Sequence, residues 1–505
     1  MKQIRIYMLL SLIVGMSLTA CSDWLDVDPK DKVLEDKMFE TPKGINDVLN
    51  GFYQSMMKEN LYGGQMSSTT IEILGQYYNY PHDEPTQDVN LRPFYYLGNY
   101  KYGQKEVMDK FSYIWRESYE IIFGINNFID KLQGSNVLAQ DTKETMLGEA
   151  HALRAFLHLD MLRLFGPVYK THPGSLAIPY NDKPKVNTYA PLSAQEVMKK
   201  ILADIATAES LLKNDPILTE GILYIEDENE HIRLSSEEIF NKYYRNRRMN
   251  VYAVKALKAR ALAYQGNISE AAQEARKVID EASTLFPFTK ESDVADKRFY
   301  TMHTEVLFGV ENLNMYTRWN EYTNGTLLHR TYTVNSKNLT KNIFTGTAID
   351  LEDTRRGIWE TSKINKELYI SRKYEDYGFK TYDANRLYQP LMRITEMHYL
   401  IAESYIENNN IQGAIEKINE IGVVRGWKTK INFSNTMTKE EAYNLLVKEY
   451  YKEFYGEGQV FFYHKRKNNK LIYCASDSET INTIDIETLD QNPYLIPLPN
   501  DETDV

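Results

Sequence analysis

Apolar positions recur at helical spacing along most of the chain, most clearly from Gly148 to Val168, GEAHALRAFLHLDMLRLFGPV. Ala150, Leu153, Leu157 and Leu164, with Phe156 and Met161 beside them, mark a single helix. Gly166-Pro167 supplies its stop, because Gly tolerates a left-handed cap and Pro cannot continue a helix. Glu149 near the start and Arg163 near the end have the signs that suit the helix dipole. Arg154, His158, Asp160 and Arg163 interrupt the apolar positions and read as polar groups that lock neighbouring helices.

The same periodicity predicts further helices. Thr41-Pro42 opens one that runs to about Lys58, a capping hydroxyl followed by Pro at the first position. Others span Gln104 to Leu132, Ser193 to Lys213 with Ser193 and Glu196 as a capping box, and about Thr438 to Tyr455. Met249 to Asp280 and Met392 to Gly422 repeat one another: Leu257 and Leu400, Ala259 and Ala402, Asn267 and Asn410, Ile268 and Ile411, Ala271 and Ala414 fall at one constant offset. Each reads helix, short turn, helix, with small residues where two helices approach closely. The expected fold is therefore mainly α, a tetratricopeptide-like helical-repeat superhelix with long irregular loops and a few short strands.

Periodicity lapses in two aromatic stretches, 62–102 and 311–325, and both are expected to be irregular loops. Between them Glu305-Val306-Leu307-Phe308-Gly309-Val310 reads as a short buried strand, and Pro493 to Pro499 is forced to be extended. The organisation that results is a leader over 1–20, a tether over 21–40, one helical-repeat part over 41–300 and a second over 301–505.

The first residues change the picture. Lys2 and Arg5 form a positive end, Met8 to Met16 an apolar run, and Leu18-Thr19-Ala20-Cys21 closes it, the pattern of a secretory signal too short to span a bilayer by itself. Leu18-Thr19-Ala20-Cys21 resembles the bacterial lipobox, which implies cleavage before Cys21, a lipid on its sulfur and a membrane anchor. Cys474, the second of the 2 cysteines, then has no disulfide partner. A formal charge of −11 over 505 residues argues against nucleic acid as a partner, since phosphate contact needs concentrated Lys and Arg.

Tests for catalysis return little. His151 and His158 are the only histidine pair at helical face spacing, and no acid or thiol stands in register to complete a metal site. No nucleophile elbow, HExxH, phosphate loop or dinucleotide fingerprint occurs, and no cofactor is expected. Asp353-x-Arg355-Arg356 reads as a surface ion pair. The 38 tyrosines stand out instead, because Tyr presents a flat apolar face with a polar tip. Tyr77, Tyr78, Tyr80, Tyr95 and Tyr96 in the first stretch and Tyr316, Trp319 and Tyr322 in the second are the candidate ligand contacts, with Asn79, Asp83 and Asn320 beside them for hydroxyls. The competing reading is that these rings only anchor their loops to the scaffold.

Taken in order, the Cys21 motif, Glu149-Ala150 with Leu153-Arg154-Ala155 and Leu164 to Val168, Glu305 to Phe308, Pro390-Leu391-Met392-Arg393 with Glu396-Met397 and Ala402-Glu403, and Pro497-Leu498-Pro499 resemble the SusD/RagB family of Bacteroidetes outer-membrane lipoproteins. The resemblance implies a non-catalytic, cell-surface protein of the outer membrane. It would capture glycan, or in some members peptide, as a lid on a SusC-like TonB-dependent transporter. One segment departs from the family: Glu457-Gly458 and Arg466 are kept, but Phe461-Phe462-Tyr463-His464-Lys465-Arg466 lacks the usual Trp-Asp pair. An envelope scaffold that binds proteins, and a helical glycosidase whose carboxylates no motif marks, are the alternatives from other functional classes.

Overall fold

The computed structural model describes residues 36–80, 92–185, 189–225, 242–295, 300–323, 332–362, 365–376, 387–475 and 483–499. In chain order the helices begin with α1 (Pro42–Met56), α2 (Thr70–Leu74) and α3 (Arg92–Gly98). Next come α4 (Lys105–Gly134), α5 (Gln140–Phe165), α6 (Ala194–Leu211), α7 (Val251–Gln265) and α8 (Ile268–Ala282). Then follow α9 (Met315–Thr323), α10 (Ile394–Glu407), α11 (Ile411–Val424), α12 (Lys439–Glu453) and α13 (Val460–Lys467). Successive helices pack side by side: α4 on α5, α5 on α6, α6 on α7, α7 on α8, α8 on α10, then α10 and α11 on α12. The fold is the expected helical-repeat stack.

The two repeated segments are the hairpins α7/α8 and α10/α11, and α8 packs directly on α10, so the repeats are neighbours. Asn250 caps α7 by accepting from the amides of Tyr252 and Ala253. Asn410 caps α11 through Gly413 N–H at 3.0 Å, whereas Asn267, its counterpart before α8, makes no such bond. The expected box of Ser193 and Glu196 is present on α6, and Thr438 with Glu441 forms a second on α12.

Helix α5 starts upstream of its clearest stretch and is buried on every side from Thr145 to Phe165. A helix without a wet face belongs at the centre of a large core. Its end corrects one expectation. Gly166 sits at φ −69, ψ 168, which is extended rather than left-handed. The terminal carbonyls are satisfied from a distance: Lys465 Nζ donates to the oxygens of Leu164 and Gly166, each at 2.7 Å.

The strands are short. β1 (Val306–Glu311) pairs antiparallel with β5 (Tyr388–Arg393), with an irregular register around Phe308. β2 (Thr333–Asn335), β4 (Leu368–Ser371) and β3 (Trp359–Thr361) form an antiparallel sheet in that spatial order, and β6 (Leu471–Tyr473) pairs with β7 (Thr483–Asp485). Two further expectations are corrected here. The stretch 62–102 is not wholly irregular, since it carries α2 and α3, and the 311–325 loop is largely the helix α9. Asn314 to Tyr322 has weak helix formers, and packing of Met315 and Trp319 into the core overrides that local preference.

Candidate functional site

The site is carried on a buried ionic frame where α10, α11 and α12 meet β5. Arg425 donates to Glu305 at 2.8 and 2.7 Å and to Glu453, while Arg393 Nε donates to both oxygens of Glu457 and its Nη1 reaches Glu453. Arg355 joins Asp353, Glu449 and Glu453. Asp353 and Arg355 are 3% and 2% exposed, so the surface ion pair expected from sequence is a core element. Burial alone would raise the Glu453 carboxyl, but Arg425, Arg393 and Arg355 together hold it well below the usual carboxylate range. Lys373 extends the frame by donating to Glu457 and, at 2.7 Å, to the Tyr455 carbonyl. The turn Tyr455-Gly456-Glu457-Gly458 is fixed by these contacts.

On that frame the two aromatic stretches converge on one ring, Tyr332, which immediately precedes β2. Tyr78 from the first stretch stacks on it at 4.6 Å between centroids and 18° between planes, and Tyr322 from α9 stacks at 4.4 Å and 11°. Trp319 at 5.9 Å and Phe94 at 6.2 Å close the sides. The Tyr332 hydroxyl meets that of Thr69 at 2.5 Å. Tyr455 lies beneath, 5.2 Å from Tyr77, 6.0 Å from Tyr78, 6.2 Å from Trp319 and 4.5 Å from Trp359. Trp319 Nε1 donates to the Ser371 carbonyl at 3.0 Å, which ties α9 to β4.

Of the residues singled out from sequence, Tyr77, Tyr78, Trp319 and Tyr322 are thus brought together. Tyr77, Tyr78 and Trp319 are buried and Tyr322 is half-buried. The others stand apart. Tyr80 is buried against Gly98 and donates to Gln76 at 2.7 Å. Tyr95 is buried and takes a hydrogen bond from Lys101, with the half-buried Tyr96 ring 5.4 Å away. Half-buried Tyr316 accepts from Leu387 N–H at 3.2 Å. Asn79 joins the site through its backbone, donating to the Thr333 carbonyl at 2.7 Å, and Asn320 is exposed. Cys21 and Asp83 lie outside the described residues. Tyr332, Tyr455 and Trp359, with Tyr374, whose ring lies 5.3 Å from Trp319, were not legible as site residues. The only available signal was aromatic character, which 38 tyrosines dilute.

Burial raises the phenols of Tyr77, Tyr78, Tyr332 and Tyr455 well above their ordinary value, so they stay neutral rings. Among the described residues no group of three or more His, Cys, Asp or Glu is placed to hold a metal ion. The polar residues of α5 are occupied as scaffold: Arg154 forks onto Asp204 at 2.7 and 2.6 Å, His151 meets the same carboxylate at 2.9 Å, and His158 stacks on Tyr180 at 3.9 Å. What the cluster offers chemically is stacking. A ladder of rings runs from buried Tyr78 through Tyr332 to half-buried Tyr322, with half-buried Phe94 and Trp359 at its margin.

Comparison with known proteins places this architecture. Residues 23–221 match a family model described as SusD-like, starch-binding associating with outer membrane, and residues 235–505 match the model of the SusD family. Among curated proteins, the SusD-like protein P38 of Formosa agariphila is 29% identical over 42% of this chain and 38% of its own length. The SusD-like protein P2 of the same organism is 24% identical over 41% and 38%. The chain therefore matches well under half the length of these relatives. A SusD superfamily structure from Bacteroides thetaiotaomicron superposes with a TM-score of 0.67 at 18% identity, covering 92% of this chain and 98% of the other. A SusD-like carbohydrate binding protein from Bacteroides vulgatus gives 0.67 at 16% identity, covering 92% and 96%.

Proposed function

The chain belongs to the SusD family, and from that premise we propose that it captures oligosaccharide without catalysis and delivers it to a TonB-dependent outer-membrane transporter. In this reading the protein is anchored in the outer membrane through lipid on Cys21 and faces outward. The observation that carries it is the Tyr78–Tyr332–Tyr322 ladder: its inner rings are fixed by packing and its last ring is half-exposed. A sugar ring stacks on such a face at low entropic cost, because the platform is already ordered. The SusD-like carbohydrate binding protein of Bacteroides vulgatus, which shares the fold, and the starch-binding description of the matched family point the same way.

Calorimetry of the full chain in detergent against a panel of oligosaccharides and peptides tests the proposal. Tyr322→Ala and Trp359→Ala should each weaken the oligosaccharide found by about 1–3 kcal/mol. Binding only to peptides would sink the glycan reading, and unchanged affinity in both variants would move the site elsewhere. Co-purification with a TonB-dependent barrel from native membranes tests the partner.

A further inference from the structure

Beneath the aromatic ladder lies one carboxyl that the ionic frame does not pair. Glu72 on α2 is 1% exposed; its Oε1 accepts from Gly458 N–H at 2.7 Å, and its Oε2 has no hydrogen-bond partner. It links two pieces of the site. Five residues along from Glu72 begin Tyr77 and Tyr78, and Gly458 ends the turn that starts at Tyr455, the ring under both of them. The turn admits little slack. Gly456 and Gly458 adopt φ +72 and +66, a Cβ on Gly458 would strike the Met66 carbonyl, and one on Gly456 would lie 2.7 Å from the Tyr374 ring.

We propose that Glu72 is a positioning residue for the binding site. Its Oε1 ties the segment bearing Tyr77 and Tyr78 to the Tyr455–Gly458 turn, and on ionising its unpartnered Oε2 draws water into the dry seam between them and loosens the ladder. The proposal rests on the reading of the ladder as the binding site.

The surroundings favour the neutral form. From the turn after α12 comes the like charge of Glu457, already engaged by Arg393 and Lys373. Lys373, just past the end of β4, is the cation that favours the carboxylate, and Tyr374 beside it is a neutral phenol. Tyr77 and Tyr78 on the same segment and Tyr451 and Tyr455 on α12 and its end are neutral as well. On α13, which packs against α2, His464 is held neutral by burial. Burial therefore dominates and pushes Glu72 up to about 8, against the Gly458 and Gly456 amides and Lys373. A group raised from 4.5 contributes its stabilisation fully below that value and loses it as pH rises through about 8. The carboxylate formed then keeps the Gly458 amide on Oε1 but leaves a charged Oε2 without a donor in a dry site, and the water that Oε2 recruits must enter between the segment and the turn.

The test uses the full chain in detergent, titrated from about pH 5.5 to about pH 9.5, below the range in which these buried phenols ionise. Infrared difference spectra should show a protonated-carboxyl band lost with a midpoint near 8 and absent in Glu72→Gln. Tryptophan fluorescence, to which Trp319 and Trp359 contribute two of the 5 indoles, should step with the same midpoint in the wild type and stay at its low-pH level in Glu72→Gln. Affinity for the best-bound oligosaccharide of the panel should fall roughly threefold or more across the step in the wild type. It should be flat in Glu72→Gln and weak at every pH in Glu72→Ala. A wild-type spectrum without the band, or an identical step in Glu72→Gln, overturns the proposal even where oligosaccharide binds. A step that follows Glu72 in a protein that binds no oligosaccharide upholds the tie and removes the glycan reading instead.

Discussion

At the scale of single residues, depth separates rings that look alike in sequence. Tyr332 is wholly buried with rings on both faces, whereas Tyr322 is half-buried. Tyr332→Ala should therefore cost about 3–5 kcal/mol of stability, in the range for large aromatics removed from a core, and Tyr322→Ala far less, as read by denaturant unfolding. Charge obeys the same rule. Glu453→Gln leaves Arg393 and Arg425 buried with one fewer anion, and breaking a buried pair in this way costs about 3–5 kcal/mol. A variant as stable as the wild type would show that the frame carries no such load. Neither result is readable from the chain alone. Asp353-x-Arg355 has the spacing of a surface pair, and only the approach of Glu449 and Glu453 from α12 turns it into core.

At the scale of elements, helices with strong periodicity were legible and those imposed by packing were not. The α7/α8 and α10/α11 hairpins announced themselves through a repeat at constant offset, because both must bury an apolar face against a neighbour. Helix α9 did not, since only Met315 and Trp319 seat in the core and leave too short an apolar stripe to read as a period. The end of α5 is a third kind of case. Gly166-Pro167 marked the stop correctly, but its capping group arrives from Lys465, 301 residues on from Leu164 along the chain. Lys465→Met should leave the Leu164 and Gly166 carbonyls unsatisfied and cost about 1–3 kcal/mol near pH 7. Burial also pushes the Lys465 ammonium down to about 7, so the unfolded chain binds the extra proton between that value and the ordinary value of 10.5. Stability should rise with pH across that window in the wild type and lose that increment in Lys465→Met, as thermal melts at several pH values would record.

At the scale of the whole molecule, one apolar core runs from α1 to the C-terminal extended segment, and buried imidazoles are built into it. His158 donates from Nδ1 to the Arg154 carbonyl at 2.9 Å and accepts at Nε2 from Asn181 N–H at 3.1 Å, a pattern only the neutral ring satisfies. His464 sits between Tyr451 and Asn469, at 3.2 and 2.9 Å. Burial is the leading cause that pushes His158, His398 and His464 down to about 3 each. Below the ordinary value of 6.5 the unfolded chain takes up protons that the folded chain refuses, so their stabilisation is lost as pH falls from 6.5 towards 3. Glu72 acts in the opposite sense, but as one carboxyl against these three imidazoles and His303, which burial pushes down to about 4. The melting temperature of the full chain should consequently climb between about pH 4.5 and about pH 6.5 and level off near neutrality, where Glu72 and Lys465 oppose one another. His158→Gln, which cannot take up the proton, should reduce that slope while lowering stability at pH 7 by about 1–2 kcal/mol. A melting temperature flat across the window would mean that the imidazoles meet water, and with it that α5 is not the dry centre of the stack.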